Sequence, residues 1–431
     1  MPVSEFSEDF PGYEPRIPAP IAPDARAETQ SNVVPFREDE PPEWMFEGAI
    51  GEPVRDAAPI KATPFVWRDE AKIPARQWLY GKHLLRKFVS VDVAAGGVGK
   101  SSVKIGEALA MASDRPLYNR AIHEGPLRVW LYNLEDPAEE TERRLHATAK
   151  WFKISPLELE DRLYVDSGRD QSCVIAYESQ HGATIAAPVV AQIRKEIRDR
   201  GIDVLIIDPF VSSHEVSEND NAAIDKVAKE WGRIADDCNC SINLVHHVRK
   251  GNGAETNTDS ARGAKSLTDA ARSVIVYNRM SDEEAGLAGV PMDQRGFYFR
   301  TQNDKANLAP PEKAEWFRMN NVELANGDQV GVACPWKWPE LFDGISTAKA
   351  MAVQRAVHDG RWRKDPRAAN WVGQCVGPVV GLNPNDDSER KKLQAIIKEW
   401  LRNDVLREVE GEDPGQRKSF LFVEVGKWIT E

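Results

Sequence analysis

The residues with the clearest chemical meaning form one short run, Ala94-Ala95-Gly96-Gly97-Val98-Gly99-Lys100-Ser101. The run matches the phosphate-loop pattern G-x-x-x-x-G-K-[ST], except that Ala94 replaces the first glycine, which is tolerated if its φ is negative. Glycines let successive amides turn toward a phosphate, and the helix that follows adds its positive end. Lys100 supplies charge to the phosphate oxygens, and the Ser101 hydroxyl can bind Mg²⁺. The residues predicted to hold ATP are therefore Ala95, Gly96, Gly97, Val98, Gly99, Lys100, Ser101 and Ser102.

A second carboxylate is needed to hold Mg²⁺, and it should lie at the end of a buried strand. Asp208 follows the four apolar residues 204–207 and meets this requirement, so Ser101 and Asp208 are the predicted metal ligands. The alternative for Asp208 is a structural role in the turn with Pro209.

A general base is predicted in the run Asn133-Leu134-Glu135-Asp136-Pro137, which follows another strand. A carboxylate at this place can polarise the water that attacks the γ-phosphate, and Glu135 is the candidate. The alternative is that Glu135 and Asp136 cap the next helix. Both functions can coexist, with Asp136 capping and Glu135 catalytic.

Two adjacent histidines, His246 and His247, close the strand predicted at 241–245. Neighbouring residues of a strand point to opposite faces, so at most one of them should face the nucleotide. That histidine is predicted to sense the γ-phosphate, and the other to pack in the core. A zinc site would lack its remaining ligands.

These side chains need a sheet that brings several strand ends together. The pattern predicts strands at 88–93, 127–132, 162–165, 204–207, 241–245 and 273–276. Between them it predicts helices that end near 113 and that span 141–152, 187–200 and 222–237. Such alternation predicts an α/β domain with a mainly parallel sheet, at about residues 76–335.

Residues 336–431 show a different pattern. The sequence predicts helices at 347–358, 367–376 and 388–403, then two strands at 406–409 and 419–423 that pair across a turn. Three helices and a hairpin match a winged-helix-like domain in order and size. The last helix carries a basic face that could contact DNA phosphates, and a solvated face is the alternative. Its residues are Arg390, Lys391, Lys392, Lys398 and Arg402.

Residues 1–75 contain 13 of the chain's 28 prolines, together with 15 acidic and 7 basic residues. Proline prevents helices and central strands from propagating, so this segment is predicted to be a disordered, acidic tail. The net charge of −12 is therefore concentrated in the tail, which leaves room for a basic surface elsewhere.

Composition excludes several classes of protein. A chain of 431 residues with 41% hydrophobic content is long enough for two or three domains. No apolar run approaches the roughly 18–20 residues that cross a membrane. The acidic N-terminus resembles no secretion signal, and five scattered cysteines suit buried thiols better than disulfides. A soluble, reduced, cytoplasmic protein with no membrane partner is predicted.

Taken in order, these motifs and their neighbours resemble the RepA-like branch of RecA/DnaB-type ATPases, a hexameric helicase type of the AAA family. The resemblance covers about residues 73–310 and rests on runs of unequal length. They are Ile73-Pro74-Ala75-Arg76-Gln77-Trp78-Leu79, the phosphate loop, Leu134-Glu135-Asp136-Pro137, Ile207-Asp208-Pro209-Phe210-Val211, Glu218-Asn219-Asp220-Asn221, Leu244-Val245-His246-His247-Val248-Arg249-Lys250, Ala261-Arg262-Gly263-Ala264 and Asp269-Ala270-Ala271-Arg272.

The resemblance implies a RecA-like core, a ring that is commonly a hexamer, and work in plasmid or phage DNA replication. It implies that Glu135 is the base and that His247 is the sensor. It also implies an arginine finger at a subunit boundary. Arg272 matches it best, with Arg262 and Lys305 as rivals. Related proteins contact DNA through the loop after the sensor strand, where the basic candidates here are Arg249, Lys250, Arg262 and Lys265.

Two functions therefore follow from the sequence. The first is an ATP-driven, ring-forming helicase or translocase that encloses single-stranded DNA. The second is a regulatory or loading ATPase, which binds duplex DNA or a replication partner through its winged helix without unwinding.

Overall fold

A computed structural model describes residues 61–180, 182–248, 255–258, 265–310, 312–412 and 418–429. The chain divides into two units, Met1–Ile73 and Pro74–Glu431. In the first unit, the described residues contain the 3₁₀ turn Glu70–Lys72. The side chain of Asp69 caps this turn by accepting a hydrogen bond from the Ala71 amide. Most of the predicted tail, residues 1–60, lies outside the described residues, so its disorder stays a prediction.

The second unit alternates strands and helices as predicted. Its described helices are α1 (Lys100–Ser113), α2 (Ala138–Phe152), α3 (Ala187–Arg200), α4 (Asn221–Asp237), α5 (Lys265–Ala270), α6 (Asp282–Ala288), α7 (Thr347–His358), α8 (Gly373–Val380) and α9 (Asp387–Arg402). Its described strands are β1 (Trp78–Tyr80), β2 (Leu84–Leu85), β3 (Val89–Ala95), β4 (Val129–Asn133), β5 (Leu163–Ser167), β6 (Ala176–Ser179), β7 (Gly182–Ile185), β8 (Val204–Asp208), β9 (Ser241–Val248), β10 (Ser273–Arg279), β11 (Tyr298–Ala306), β12 (Glu315–Glu323), β13 (Gln329–Pro335), β14 (Trp362–Arg363), β15 (Leu406–Glu412) and β16 (Ser419–Val425). None of these helices is both long and apolar enough to span a membrane.

A nine-stranded sheet forms the centre of the described unit, in the order β13-β12-β11-β10-β3-β9-β8-β4-β5. The strands from β10 to β5 are parallel, and β11, β12 and β13 extend one side antiparallel. Parallel strands end at one edge, so β3, β9, β8 and β4 present their carboxyl ends together. The predicted α/β class with a mainly parallel sheet is confirmed.

Most predicted elements are present, and the bounds of α3 and α7 match the prediction. The antiparallel strands β11 to β13 were missed. The helix predicted at 367–376 is wrong at its start, because α8 begins only at Gly373. The side chain of Asp365 accepts a hydrogen bond from the Arg367 amide at 2.9 Å, and this local turn competes with a helix there.

The C-terminal elements share a core of their own, which includes Val353, Val376, Leu393 and Trp400. They run in the order α7, β14, α8, α9, β15, β16, and β15 pairs with β16 as predicted. We call residues 337–429 the C-terminal module. Its assignment as a winged helix rests on this order of elements and stays a prediction.

The C-terminal module packs against α6 of the sheet domain. The side chain of Lys391 lies so close to Gly286 that a Cβ there would come within 2.8 Å of it, and Lys392 lies beside Gly289. A cluster of three indole rings lies where the sheet domain connects to the C-terminal module. The ring centroid of Trp316 lies 5.9 Å from that of Trp336 and 4.7 Å from that of Trp338. Small residues on α6 and large rings at the connection thus hold the module against the sheet domain.

This packing occupies part of the basic face predicted on α9. The guanidinium of Arg390 stacks over the Trp371 ring at 4.8 Å and donates to the carbonyl oxygen of Pro384 at 2.9 Å. The stem of Lys391 lies against Gly286 of α6, and Lys392 lies beside Gly289 at the end of that helix. Arg390 is thus engaged within the chain, whereas Lys391, Lys398 and Arg402 are exposed, so a basic face on α9 stays a prediction.

A buried ionic cluster lies behind the phosphate loop. Lys104, in the second turn of α1, donates to Asp92 at 2.6 Å and to Glu107 at 2.7 Å, and all three side chains are buried. Arg120 also pairs with Glu107. Although burial opposes ionisation, the charges of Lys104 and Arg120 hold the pKa of Glu107 well below its usual range. The cluster ties α1 to the centre of β3.

Candidate nucleotide-binding site

The phosphate loop connects the central strand β3 to α1. Gly97 and Gly99 adopt positive φ values of 74° and 114°, which non-glycine residues rarely adopt. A Cβ at Gly99 would also lie 3.0 Å from the ring of Phe299. Ala94 belongs to the extended strand β3, and it is not among the residues with positive φ, so it replaces the first glycine without strain.

Helix α1 begins at Lys100 without a side-chain cap, because Gly99 precedes it. Its first amides have no intrahelical partner and can bind an anion. The Ser102 hydroxyl accepts a hydrogen bond from the Ala333 amide at 2.8 Å, so that side chain joins α1 to β13. Any contact from Ser102 to the nucleotide would therefore come from its backbone amide.

Lys100 is almost fully buried, at 3% exposure. Its ammonium group donates to the carbonyl oxygens of Ala94 at 2.9 Å and Ala95 at 3.2 Å, and it lies 3.2 Å from Nδ1 of His247. Burial lowers the pKa of Lys100 to about 8, against the opposing effect of nearby carboxylates. The lysine is charged at neutral pH and already lies beneath the loop that would carry the phosphates.

Ser101 and Asp208 meet at the base of the site. The Ser101 hydroxyl donates to the carboxylate of Asp208, which ends β8 and is 4% exposed. Burial raises the pKa of Asp208, and the hydrogen bond from Ser101 and the charge of Lys100 partly offset this effect. One hydroxyl and one carboxylate are hard oxygen ligands of the kind that suits Mg²⁺, with phosphate oxygens and waters completing the shell. The pair therefore fits the metal.

Glu135 is exposed and follows β4, which pairs with β8 so that Asn133 lies opposite Asp208. Its backbone is fixed on both sides, because its amide donates to the Asn133 side chain at 3.0 Å and its carbonyl accepts from Arg169 at 2.6 Å. Its carboxylate is near enough to Lys100 and Asp208 to affect the pKa of each. The structure thus brings the predicted base to the site.

The predicted capping role of Asp136 is wrong. The residue before α2 is Pro137, and no side chain caps that helix. Asp136 instead accepts hydrogen bonds from Arg144 at 2.8 Å and from the Asn133 side chain at 3.3 Å. Its carboxylate is therefore used to hold an arginine.

Arg144, on α2, is a site residue that the sequence motifs did not indicate. With Gly97, Lys100, Ser101 and His247, among others, it lines a cavity of about 220 Å³ over the phosphate loop. It lies two turns into the helix that follows Glu135, and it also pairs with Glu140 four residues earlier at 2.9 Å, a spacing that is common in surface ion pairs. The cavity thus contains a second cation from the same chain.

The two histidines differ in environment, as strand geometry requires. His247 lies beside Lys100, whereas His246 is buried, and its ring centroid lies 6.4 Å from that of Phe210. Burial and the charge of Lys100 lower the pKa of His247 to about 4, and burial lowers that of His246 to about 4. Both imidazoles are neutral at physiological pH, and only His247 lines the cavity.

The three candidates for a finger acting from a neighbouring copy lie away from this cavity, or outside the described residues. Arg272 is exposed and immediately precedes β10, whose first residue pairs with Ser90 near the start of β3. Lys305 donates to the carbonyls of Thr268 at 2.8 Å and Asp269 at 3.0 Å. Arg262 lies outside the described residues, as do Arg249 and Lys250.

The loop after β9 is described only at residues 255–258. Glu255 pairs with Arg300 at 2.6 Å, and the Thr256 backbone exchanges two hydrogen bonds with the side chain of Asn278. The acidic side chain of Glu255 is thus paired with an arginine of β11. Lys265, the described basic candidate, is exposed at the start of α5.

A glycine loop between a central strand and a helix, with Asp208 and Glu135 at neighbouring strand ends, defines a P-loop nucleoside-triphosphate site on an α/β domain. Comparison with known proteins agrees with this class. Residues 54–253 match a family model described as an AAA domain.

Two solved structures are similar over the greater part of their own length. One is a RadB recombinase, at 12% identity and a TM-score of 0.36, covering 55% of this chain and 89% of that chain. The other is described as an ATPase domain, at 13% identity and a TM-score of 0.38, covering 57% of this chain and 86% of that domain.

Proposed function

We propose that this chain hydrolyses ATP, assembles into a ring, commonly a hexamer, and acts as a DNA helicase or translocase in the replication of a plasmid, phage or prophage. The observation that carries the ATPase part is the convergence on one cavity of Lys100, the Ser101–Asp208 pair and Arg144, with Glu135 at its side. Each supplies a separate requirement of phosphoryl transfer.

The residues divide the chemistry among them. Lys100 and the amides at the start of α1 would bind the β- and γ-phosphates, and Arg144 would add charge near the γ-phosphate. Ser101 and Asp208 would hold Mg²⁺, which neutralises phosphate charge when bound. Glu135 would accept a proton from the attacking water. His247, neutral and beside Lys100, would respond to the γ-phosphate as the sensor.

The positions of Arg272 and Lys305 support assembly from several copies. Both lie at the amino end of β3, whereas the phosphate loop leaves its carboxyl end. Ala95 lies five positions after Ser90 along the strand, which is roughly 16 Å at about 3.3 Å per residue. Neither cation can contact a nucleotide at its own loop across that distance, so a role in hydrolysis requires a neighbouring copy. Lys305 is in addition held by two backbone carbonyls.

The second candidate is a regulatory or loading ATPase that does not unwind DNA, and one observation bears on what its C-terminal module would bind. Arg390 stacks on Trp371, and the stem of Lys391 packs against Gly286, so the chain itself occupies part of the basic face of α9. A C-terminal module whose basic face is partly occupied would bind a replication protein as its partner.

One set of measurements tests the proposal. ATP turnover is measured with and without single-stranded DNA, and unwinding is measured on a forked duplex, for the unmodified chain and for Lys100→Ala. We expect turnover and unwinding that both depend on Lys100, and rings by electron microscopy with a non-hydrolysable analogue. Turnover without unwinding would favour the loading ATPase. Full turnover by folded Lys100→Ala would overturn the assignment of the site.

A further inference from the structure

Arg279 ends β10 beside the phosphate loop, and the sequence motifs assign it no role. Its strand pairs with β3 so that Tyr277 lies opposite Ala94, which brings Arg279 level with the loop itself. The guanidinium donates to the carbonyl oxygen of Gly97 and, at 3.1 Å, to that of Gly296. One exposed arginine thus joins the phosphate loop to the turn before β11.

The carbonyl of Gly97 and the amide of Val98 belong to the same peptide unit. In a trans peptide the C=O and N–H bonds point in opposite directions. A guanidinium that holds the carbonyl on one side of the loop therefore turns the Val98 amide toward the other side. Because glycines at 96, 97 and 99 give this backbone unusual freedom, its orientation has to be fixed by contacts from outside the loop.

The second acceptor of Arg279 is itself anchored. Gly296 lies in the 3₁₀ turn Arg295–Phe297. Arg295 donates to the carbonyl of Met280 at 2.6 Å and pairs with Asp282 at 2.9 Å, which holds this turn against β10 and α6. Arg279 therefore connects the phosphate loop to a turn that is itself held in place. A side chain with a single donor group could not bind both carbonyls in the same way.

We propose that Arg279 is a positioning residue for nucleotide binding, which holds the Gly97–Val98 peptide with its amide directed at the phosphates. This inference rests on the proposed ATP site. Arg279 acts through the loop backbone and not by contact with the nucleotide. The amide that it orients serves ground state and transition state alike, so its loss should weaken binding more than it slows the chemical step.

The test compares Arg279→Ala and Arg279→Lys with the unmodified chain. Removing the positioned hydrogen bond to a charged ligand should weaken binding of ATP and ADP about tenfold. The KM for ATP should rise by the same factor while kcat changes less than about threefold, and Arg279→Lys should lie between the two. The matched control is Arg128→Ala, since Arg128 also donates to a carbonyl, that of Arg200 at 2.7 Å, but far from the loop. It should change neither constant.

Each outcome has one meaning. Unchanged nucleotide affinity in folded Arg279→Ala would overturn the inference, as would a fall in kcat at unchanged KM, because a merely structural arginine lowers only the active fraction. If the unmodified chain fails to bind ATP, or if Lys100→Ala binds it equally well, the proposed site itself is wrong. ATP binding that depends on Lys100 but not on Arg279 would reject this inference alone.

Discussion

The ammonium group of Lys100 lies 3.2 Å from Nδ1 of His247, and the two side chains come from α1 and β9. An ammonium group only donates, so Nδ1 accepts, and the imidazole is neutral with its proton on Nε2. The low pKa of His247, about 4, agrees with this assignment. The candidate sensor and the phosphate-binding lysine are therefore in direct contact, and any ligand that attracts one affects the other.

The pKa of Lys100, which burial lowers, makes nucleotide binding depend on pH. The pKa of Lys100 is about 8, and a bound phosphate should raise it, because a nearby negative charge favours the ammonium form. Binding then takes up a proton above pH 8, so affinity should be flat from pH 6 to 7 and fall by at most tenfold per unit above 8. Titrations with ATP from pH 6 to 10 measure this. Lys100→Arg should remove the dependence, since arginine stays charged.

Glu135→Gln should bind MgATP as tightly as the unmodified chain but hydrolyse it at least about a hundredfold more slowly, because an amide cannot accept the proton of the water. Binding and single-turnover hydrolysis are measured separately. Glu139→Gln is the matched control, since Glu139 lies in the first turn of α2 and should leave both unchanged. Loss of binding in Glu135→Gln would show that the residue holds the site together instead.

Arg144→Ala should reduce turnover, because it removes a cation that lines the phosphate cavity. We expect a loss of about tenfold or more in kcat/KM, typical of a charged contact to a ligand. Its neighbour Arg143 pairs with Glu140 and Asp328 on the surface and does not line the cavity, so Arg143→Ala should behave like the unmodified chain. Equal effects from the two variants would mean that Arg144 acts only through the stability of α2.

Arg272→Ala should lower turnover while leaving ATP binding by each copy intact, because its side chain lies at the edge opposite its own loop. Mixing this variant with Lys100→Ala provides the decisive measurement. Some interfaces in mixed rings pair an intact loop with an intact Arg272, so part of the activity should return. If verified mixed rings stay inactive, Lys305 or Arg262 becomes the candidate for the trans-acting cation.

Lys104→Met should destabilise the protein by about 3–5 kcal/mol, because it leaves Asp92 and Glu107 buried without their partner. Denaturant midpoints measure this, with Lys195→Met as the control, since Lys195 forms an exposed pair with Asp199. Because the pKa of Glu107 lies below its unfolded value, the stabilisation from its ion pairs is complete at neutral pH and is lost as the pH falls below about 4. A midpoint unchanged in Lys104→Met would contradict the role assigned to the cluster.

The sequence pointed to those candidate site residues that belong to short motifs. Lys100, Ser101, Asp208 and Glu135 follow buried strands, and the ends of adjacent parallel strands must meet. By contrast, Arg144 and Arg279 reach the phosphate loop only through the packing of α2 and β10, and nothing in their immediate sequence distinguishes them from surface arginines.

The missed strands β11 to β13 have a similar explanation. Their apolar residues are interrupted by polar ones that are buried or half-buried, such as Thr301 and Gln302, so the alternation that marks a strand is weak. The contact of α9 with α6 could not be predicted from the sequence either, because the two glycines that permit it lie about a hundred residues from the lysines that they contact. Pairings of this kind depend on the completed fold.

The seating of the C-terminal module on α6 has a consequence for how strongly the protein could hold a long ligand. Because the module is packed against the sheet domain, copies in the proposed ring would display their modules at the same regular spacing as their ATP sites. A DNA or protein partner long enough to touch two of them would meet the second at a high effective concentration. Weak binding to each module would then give slow dissociation from the whole ring. A partner too short to reach a second module would bind no more tightly than it binds to one.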